Sequence, residues 1–188
     1  HFSLNPCDDQ GNDDDDDDSA SGWQGFAPFV PEPVIYQHRH RCISIMTFDF
    51  DLDNDTDIIG VSNYDSVSLF LNNGDGTLGT PGYYITGDNP QKGVYGQFSN
   101  DLYPDVVVAN YMDDTIGLLI NNGAGGLRPI VQYPTVGNPL YILTDDFNND
   151  NFPDVLVQTY SSFELGLHLH NGNNGFSPVS IQTMPFRV

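Results

Sequence analysis

Positive charge is scarce in this chain of 188 residues, where five Lys and Arg stand against 26 Asp and Glu for a formal net charge of −21. Nucleic acids and anionic membranes attract proteins through clustered basic side chains, so the balance argues against both as partners. Eight of the carboxylates come from Asp8, Asp9 and the run Asp13–Asp18. A block of like charge is typically solvated, and we predict an acidic disordered segment over residues 1–21.

Cysteine and long apolar runs are also scarce. Cys7 and Cys42 are the two cysteines, and they are consistent either with a disulfide in an extracellular protein or with two free thiols. No apolar run has the length of a transmembrane span, so we expect no direct membrane insertion in this segment. The chain begins with His1 instead of Met, which favours a fragment or a processed form.

Patterns typical of catalysis are missing. A Gly-x-Ser-x-Gly nucleophile motif does not occur. Two histidine pairs, His38/His40 and His168/His170, each place two imidazoles on one face of a strand. A transition-metal site needs further ligands, and none has matching spacing, so we interpret both pairs as edge-strand or rim residues. The sequence therefore predicts a protein that is not an enzyme.

Carboxylates at alternate positions are the most informative feature that is present. Residues 49–57 read Asp-Phe-Asp-Leu-Asp-Asn-Asp-Thr-Asp, and residues 146–154 read Asp-Phe-Asn-Asn-Asp-Asn-Phe-Pro-Asp. Oxygens at alternate positions of a tight loop can converge on one point, and Ca²⁺ accepts about six to eight oxygen ligands. Without an ion these carboxylates would repel one another. We therefore predict a calcium site in each loop.

The predicted ligands follow from the alternation. In the first loop they are the side chains of Asp49, Asp51, Asp53 and Asp57 with the backbone carbonyl of Asp55. In the third loop they are the side chains of Asp146, Asn148, Asp150 and Asp154 with the backbone carbonyl of Phe152. Neither loop is an EF-hand, because neither has the closing glutamate that an EF-hand requires.

A weaker copy of the loop lies at residues 97–105. Gln97 and Ser99 replace two charged ligands, and Asp101 and Asp105 are the remaining carboxylates. Because lower ligand charge weakens calcium binding, we expect this middle site to be empty or weakly filled.

The loops belong to an internal repeat. They begin at residues 49, 97 and 146, and the turn glycines Gly74, Gly123 and Gly172 are spaced by 49 residues. Four short strand-like segments accompany each loop, without helical periodicity. Four-stranded repeats of this length are typical of propeller blades. We predict an all-β fold with β-propeller-type blades of four antiparallel strands at about 36–86, 92–135 and 140–184, within a repeat region spanning 22–188.

Tyrosines recur between the second and third predicted strands of each blade, at Tyr64, Tyr111 and Tyr160. We interpret them as packing residues, although a repeated aromatic can also stack on glycans. Three blades are fewer than a closed propeller usually has. We therefore expect a partial propeller, in which further blades or a second chain close the ring.

The loops and the repeat length together resemble the FG-GAP/VCBS repeats of integrin-α-type β-propellers, over about Tyr36 to Val188. The resemblance implies that the loop between a blade's first and second strands holds calcium. The usual glycine at the sixth loop position is replaced by Asn54 and Asn151. The resemblance also implies an extracellular adhesion or recognition scaffold with a protein or glycan ligand on one face. A lectin-like carbohydrate-binding propeller and a non-catalytic arm of a larger secreted enzyme are the alternatives.

Overall fold

The computed structural model describes residues 35–36, 40–160 and 164–183. All regular secondary structure in this part of the chain is β, and it contains no helix that is long and apolar enough to cross a membrane. The predicted acidic segment at 1–21 lies outside the described residues. The twelve strands are β1 Cys42–Phe48, β2 Asp57–Ser62, β3 Ser66–Phe70, β4 Gly82–Ile85, β5 Pro90–Gly96, β6 Asp105–Asn110, β7 Thr115–Leu119, β8 Val131–Pro134, β9 Pro139–Asp145, β10 Asp154–Thr159, β11 Glu164–His168 and β12 Ser180–Thr183.

The strands form three four-stranded antiparallel sheets, and each sheet takes four consecutive strands in chain order. We call the sheets β1–β4, β5–β8 and β9–β12 blades one, two and three. All three belong to one compact unit, Tyr36–Val188. Within it β5 packs beside β1 and beside β9, so the first strands of the blades are neighbours. The prediction of a partial propeller with four-stranded antiparallel blades is confirmed.

The second strand of blade two shows why its sequence is apolar on both faces. Val106 and Val108 pack into a core shared with blade one, whereas Val107 and Ala109 pack into a core shared with blade three. Successive side chains of a strand point to opposite faces, so a sheet between two neighbours needs apolar residues at every position. All four side chains are fully buried.

The aromatic residue at the second loop position reports which blade faces are covered. Phe50 lies in the core between blades one and two, and Phe98 lies in the core between blades two and three. Both are fully buried, whereas the equivalent Phe147 of blade three is 43% exposed. Burial of this residue is therefore decided by the following blade and not by its own loop.

Cys42 begins β1 as a free thiol. Its Sγ donates to the carbonyl oxygen of Ser44 at 3.3 Å, and burial raises the pKa of the thiol. Cys7 lies outside the described residues.

We expect Phe98→Ala to destabilise the chain by about 3–5 kcal/mol, because it removes a fully buried ring between two blades. Phe147→Ala is the matched control, because it changes the same loop position where the ring is partly exposed. Its cost should be clearly smaller. Urea unfolding of the two variants measures both values, and equal costs would contradict the blade-to-blade core described above.

Candidate metal centre

The first loop joins β1 to β2 and is wound around the carboxylate of Asp49. This carboxylate accepts hydrogen bonds from the backbone N–H groups of Asp53 at 3.1 Å and Asn54 at 3.0 Å. The N–H of Asp55 donates to Asp53 Oδ1 at 2.8 Å. Leu52 and Asn54 have φ of 65° and 73°. Asparagine enters this left-handed region more readily than most residues, which explains how Asn54 replaces the usual glycine.

Three carboxylates of this loop converge. One oxygen each of Asp49, Asp51 and Asp57 lies within 4.8 Å of the other two. Calcium–oxygen distances of about 2.4 Å allow two ligands of one ion to be separated by up to about 4.8 Å. The cluster therefore has the spacing that a shared Ca²⁺ would require.

Asp51 provides the most direct indication that the first loop suits a cation. Its Oδ1 is buried and has no hydrogen-bond partner. Burial raises the pKa of Asp51, and the nearby charges of Asp53 and Asp57 raise it further. A buried carboxylate oxygen without a donor is costly, and costlier beside other carboxylates. A divalent cation at this point would remove both costs, so the residues of the first loop fit calcium.

The third loop follows the same backbone path. The carboxylate of Asp146 accepts from the N–H groups of Asp150 at 3.1 Å and Asn151 at 2.8 Å. The N–H of Phe152 donates to Asp150 Oδ1 at 2.9 Å. Asn149 and Asn151 have φ of 63° and 70°, at the loop positions of Leu52 and Asn54. Two loops with different side chains therefore share one conformation.

The electrostatics of the third loop differ because Asn148 stands where the first loop has an aspartate. The Asn148 amide donates to Asp150 Oδ2, and its Oδ1 accepts from the Asp150 N–H, both at 2.9 Å. The Phe152 N–H and then the Asn148 amide lower the pKa of Asp150. Because Asn148 is an amide, the third loop lacks the third carboxylate that converges with the other two in the first loop. In the third loop, hydrogen bonds therefore compensate the carboxylate charge. In the first loop, part of the carboxylate charge remains uncompensated.

The middle loop departs from this conformation. Neither Asn100 nor Leu102 has the positive φ of its counterparts. The Gln97 amide donates to the carbonyl oxygen of Leu102 at 3.1 Å, at the position where Asp49 and Asp146 gather two N–H groups. The N–H of Tyr103 donates to Asp101 Oδ1 at 2.9 Å. The side chain at the first position of the middle loop thus stabilises the loop by a hydrogen bond within it.

Asp105 in the same loop is fully buried. Burial raises the pKa of its carboxyl group. Its Oδ2 and the Oγ of Ser99 are both buried without a hydrogen bond of normal geometry. The ligand assignments in all three loops remain predictions, and the first loop has the geometry that suits an ion best.

The ninth loop position has a structural role that sequence analysis missed. In each blade Oδ1 of this aspartate accepts, at 2.8 Å, a backbone N–H from the turn after the third strand; the pairs are Asp57 with Asn72, Asp105 with Asn121, and Asp154 with His170. The bond fastens the end of the loop to the turn that follows the neighbouring third strand. The signal was present, because Asn72, Asn121 and His170 recur every 49 residues, but sequence analysis predicted turn residues at the first two positions and an edge-strand or rim residue at His170.

Two of these turn residues, Asn121 and His170, also join neighbouring blades. The Asn121 amide donates to the carbonyl oxygen of Phe50 at 2.9 Å, and His170 Nε2 donates to that of Phe98 at 3.2 Å. His170 Nδ1 accepts from the Gly172 N–H at 3.0 Å, so the proton of the neutral ring lies on Nε2. Each turn therefore holds the loop of the preceding blade.

The interpretation of the second histidine pair as edge or rim residues is wrong. His168 is fully buried and His170 is 4% exposed. His168 Nε2 lies 2.9 Å from Thr135 Oγ1, its Nδ1 is buried without a partner, and burial lowers its pKa to about 4. Both residues belong to blade three and face blade two, where they contact Thr135 and the carbonyl oxygen of Phe98. His38 lies outside the described residues.

The interpretation of the repeated tyrosines as packing residues is wrong for two of them. Tyr64 is 61% exposed and Tyr160 is 69% exposed. Tyr111 is half-buried, and its ring centroid lies 6.2 Å from that of Tyr160 in an edge-to-face arrangement. These rings stand in loops at the ends of the sheets and present aromatic surface to solvent.

Three meander sheets with an aspartate loop between the first two strands of each define a β-propeller-type repeat protein. Residues 97–157 match the model of the FG-GAP-like repeat, so the chain carries this repeat, and the expected resemblance is confirmed. The matched segment runs from the middle loop into β10. The chain has no match among curated proteins.

One solved structure with detectable similarity is the Photorhabdus luminescens Tc holotoxin pore with the mutation TccC3-D651A. The identity is 16% and the TM-score is 0.42, and the alignment covers 69% of this chain. It covers 6% of the toxin chain, so the present chain spans a small part of that protein's length.

We expect the stability of the chain to fall as the pH drops from about 6.5 to about 4, in part because of His168. The folded protein holds the pKa of His168 near 4, so over this range the unfolded chain binds a proton that the folded chain does not. The contribution is at most about 3 kcal/mol.

His168→Gln removes this titration and retains a polar group that can bond to Thr135. Urea unfolding at several pH values should show the wild type losing more stability than the variant on acidification. Comparing the two proteins cancels the contribution of the carboxylates. Parallel pH curves would show that His168 has no such effect.

Proposed function

We propose that this chain is a calcium-stabilised β-propeller module that acts as an extracellular recognition or adhesion scaffold and not as an enzyme. The observation that supports the calcium part most directly is the buried, unpartnered Oδ1 of Asp51 within the Asp49–Asp51–Asp57 cluster. Asp53 and the carbonyl of Asp55 would complete the ligand set. Bound calcium would neutralise this loop and fix the connection between β1 and β2.

A second ion would be held by the third loop; its ligands would be Asp146, Asn148, Asp150 and Asp154 with the carbonyl of Phe152. This loop has the backbone path of the first loop but less negative charge, so we expect it to bind more weakly. Asp101 and Asp105 of the middle loop would bind an ion weakest of all. Affinity should follow ligand charge because the ion is held by carboxylate and carbonyl oxygens.

Calcium would also act on the contact between blades. The first loop accepts the Asn121 amide of blade two through the carbonyl oxygen of Phe50, next to Asp49 and Asp51. Fixing the loop therefore fixes the acceptor of this hydrogen bond. An extracellular compartment suits the proposal, because affinities of about 10⁻⁴–10⁻³ M suffice where calcium is millimolar.

The proposed recognition surface lies at the end of the sheets opposite the calcium loops. The loops that join second to third strands lie there, and they expose the rings of Tyr64 and Tyr160. Exposed aromatic rings suit either a protein or a glycan ligand. They also favour the second candidate, a lectin-like carbohydrate-binding propeller.

Blade three supports the proposal that further blades or a second chain complete the ring. Phe147 is 43% exposed at a position where Phe50 and Phe98 are fully buried by the following blade. A following blade with an equivalent turn would cover this ring and donate to the carbonyl oxygen of Phe147, as Asn121 does to that of Phe50.

We expect millimolar CaCl₂ to raise the melting temperature of the chain and a chelator to reverse the rise. Binding to the folded state alone stabilises it by about 1.4 kcal/mol at ten times Kd. Asp53→Ala and Asp150→Ala should each reduce the rise, and Asp101→Ala should leave most of it. Differential scanning calorimetry gives the melting temperatures. A wild-type melting temperature that does not respond to calcium would refute the calcium assignment.

Asp51→Asn should raise the melting temperature of the calcium-free protein and reduce the further rise that calcium produces. Without calcium it removes a partly buried charge that neighbouring carboxylates repel, so the variant should melt at a higher temperature than the wild type. With calcium the substitution removes a charged ligand, so calcium should raise the melting temperature of the variant less than that of the wild type. Asp88→Asn is the control, because Asp88 is exposed and lies outside the three loops. A variant that gains as much from calcium as the wild type would exclude Asp51 as a ligand.

A further inference from the structure

A cavity lies at the ends of the first strands that are remote from the aspartate loops. Its volume is about 460 Å³, and residues at the starts of β1, β5 and β9 line it, together with Asn63 from the β2–β3 loop. All three blades therefore contribute to one concave site. The volume falls within the range of about 300–1,000 Å³ that is usual for small-molecule sites.

The backbone of each blade is irregular at this cavity. In β1, β5 and β9 the pairing with the second strand slips by one residue, which leaves Ile43, Gln91 and Leu140 as the extra residues. All three line the cavity. Such β-bulges redirect side chains and are common at rims and next to functional sites. The cavity is thus formed by a backbone feature that the repeat uses three times.

The charge of the cavity is opposite to that of the chain. Arg41 and Lys92 line it, and none of its lining residues is acidic, in a protein with 26 Asp and Glu against five Lys and Arg. Both side chains are exposed. Asp88 and Asp113 occupy loops at the same end, where Asp113 accepts the Asp88 N–H at 2.8 Å, but neither lines the cavity. Two cations facing one cavity favour an anionic group, above all a carboxylate.

The remaining polar side chains suit hydroxyl groups. Asn63, Asn89 and Gln91 can donate and accept hydrogen bonds, and the Gln91 amide donates to Asn89 Oδ1 at 2.7 Å, which positions both groups. Tyr141 lines the cavity and is 52% exposed, so its ring is available to pack against the apolar face of a sugar ring.

We propose that this cavity binds a carboxylate-bearing sugar, such as a uronic or sialic acid unit. Arg41 and Lys92 would hold the carboxylate, the amides would bond to hydroxyl groups, and Tyr141 would pack against the ring. Repeat positions that are equivalent in the three blades carry different side chains here: Ser44, Lys92 and Tyr141. Because the three blades contribute different side chains, the cavity suits a single ligand better than three identical ligands bound one to each blade. The assignment rests on the recognition role proposed above but not on calcium.

The test is calorimetric titration of the full chain, in calcium, with glucuronate and N-acetylneuraminate. Glucose tests the need for the carboxylate, and glutarate tests the need for the sugar hydroxyls. We expect at least one acidic sugar to bind about tenfold or more tighter than glucose and glutarate. Glucuronate and N-acetylneuraminate distinguish the two sources of the acidic group.

The variants locate the site. The double variant Arg41→Gln/Lys92→Gln should weaken acidic-sugar binding by about tenfold or more, whereas Lys92→Arg, which keeps the charge, should retain most of it. Arg128→Gln is the matched control, because Arg128 is an exposed cation that does not line the cavity, and it should bind as the wild type does.

Three outcomes would overturn the assignment: no binding of either acidic sugar, equal binding of glucose or glutarate, or equal loss in Arg128→Gln and the double variant. Melting temperatures of the same samples with and without calcium distinguish a failure of the sugar-site proposal from a failure of the calcium proposal. A protein that calcium still stabilises but that binds neither sugar keeps its metal role and loses its sugar site.

Discussion

The hydrogen bond between the last aspartate of each loop and the turn after the third strand fixes the rest of the structure. In all three blades the aspartate Oδ1 accepts a backbone N–H at 2.8 Å, from Asn72, Asn121 or His170. The aspartate is buried each time, and a buried carboxylate needs donors. The loop therefore cannot move away from its blade, and in blades two and three the turn residue that donates this bond also reaches the loop of the preceding blade.

This anchored framework explains why loops with different chemistry occupy equivalent places. The first loop concentrates charge and leaves Asp51 Oδ1 without a donor, whereas the third loop uses Asn148 to satisfy Asp150 internally. The middle loop gives up the conformation altogether, and Gln97 braces it directly. The same scaffold thus supports three different loops. The uncompensated negative charge that would favour a cation decreases where hydrogen bonds replace carboxylates.

Much of the fold could be predicted from the sequence because its signals are local and repeated. Alternating apolar residues and Asn-Gly turns are signals that span only a few residues. Each strand and turn prediction was supported by its recurrence in three repeats. The errors concern burial. His168 and the ring of Tyr64 were assigned opposite to their observed exposure, because exposure depends on which blade lies alongside, and strand periodicity does not report that.

The sequence by itself determined the number and order of strands, the three loop positions and the acidic character of the chain, since these follow from residue types at short spacing. Only the tertiary structure decided which oxygens converge, because the folded loop brings together Asp49, Asp51 and Asp57, whereas Asp53 of the same loop is not in the cluster. It also decided where positive charge collects. Arg41 and Lys92 are 51 residues apart in number and share one cavity because β1 and β5 lie side by side.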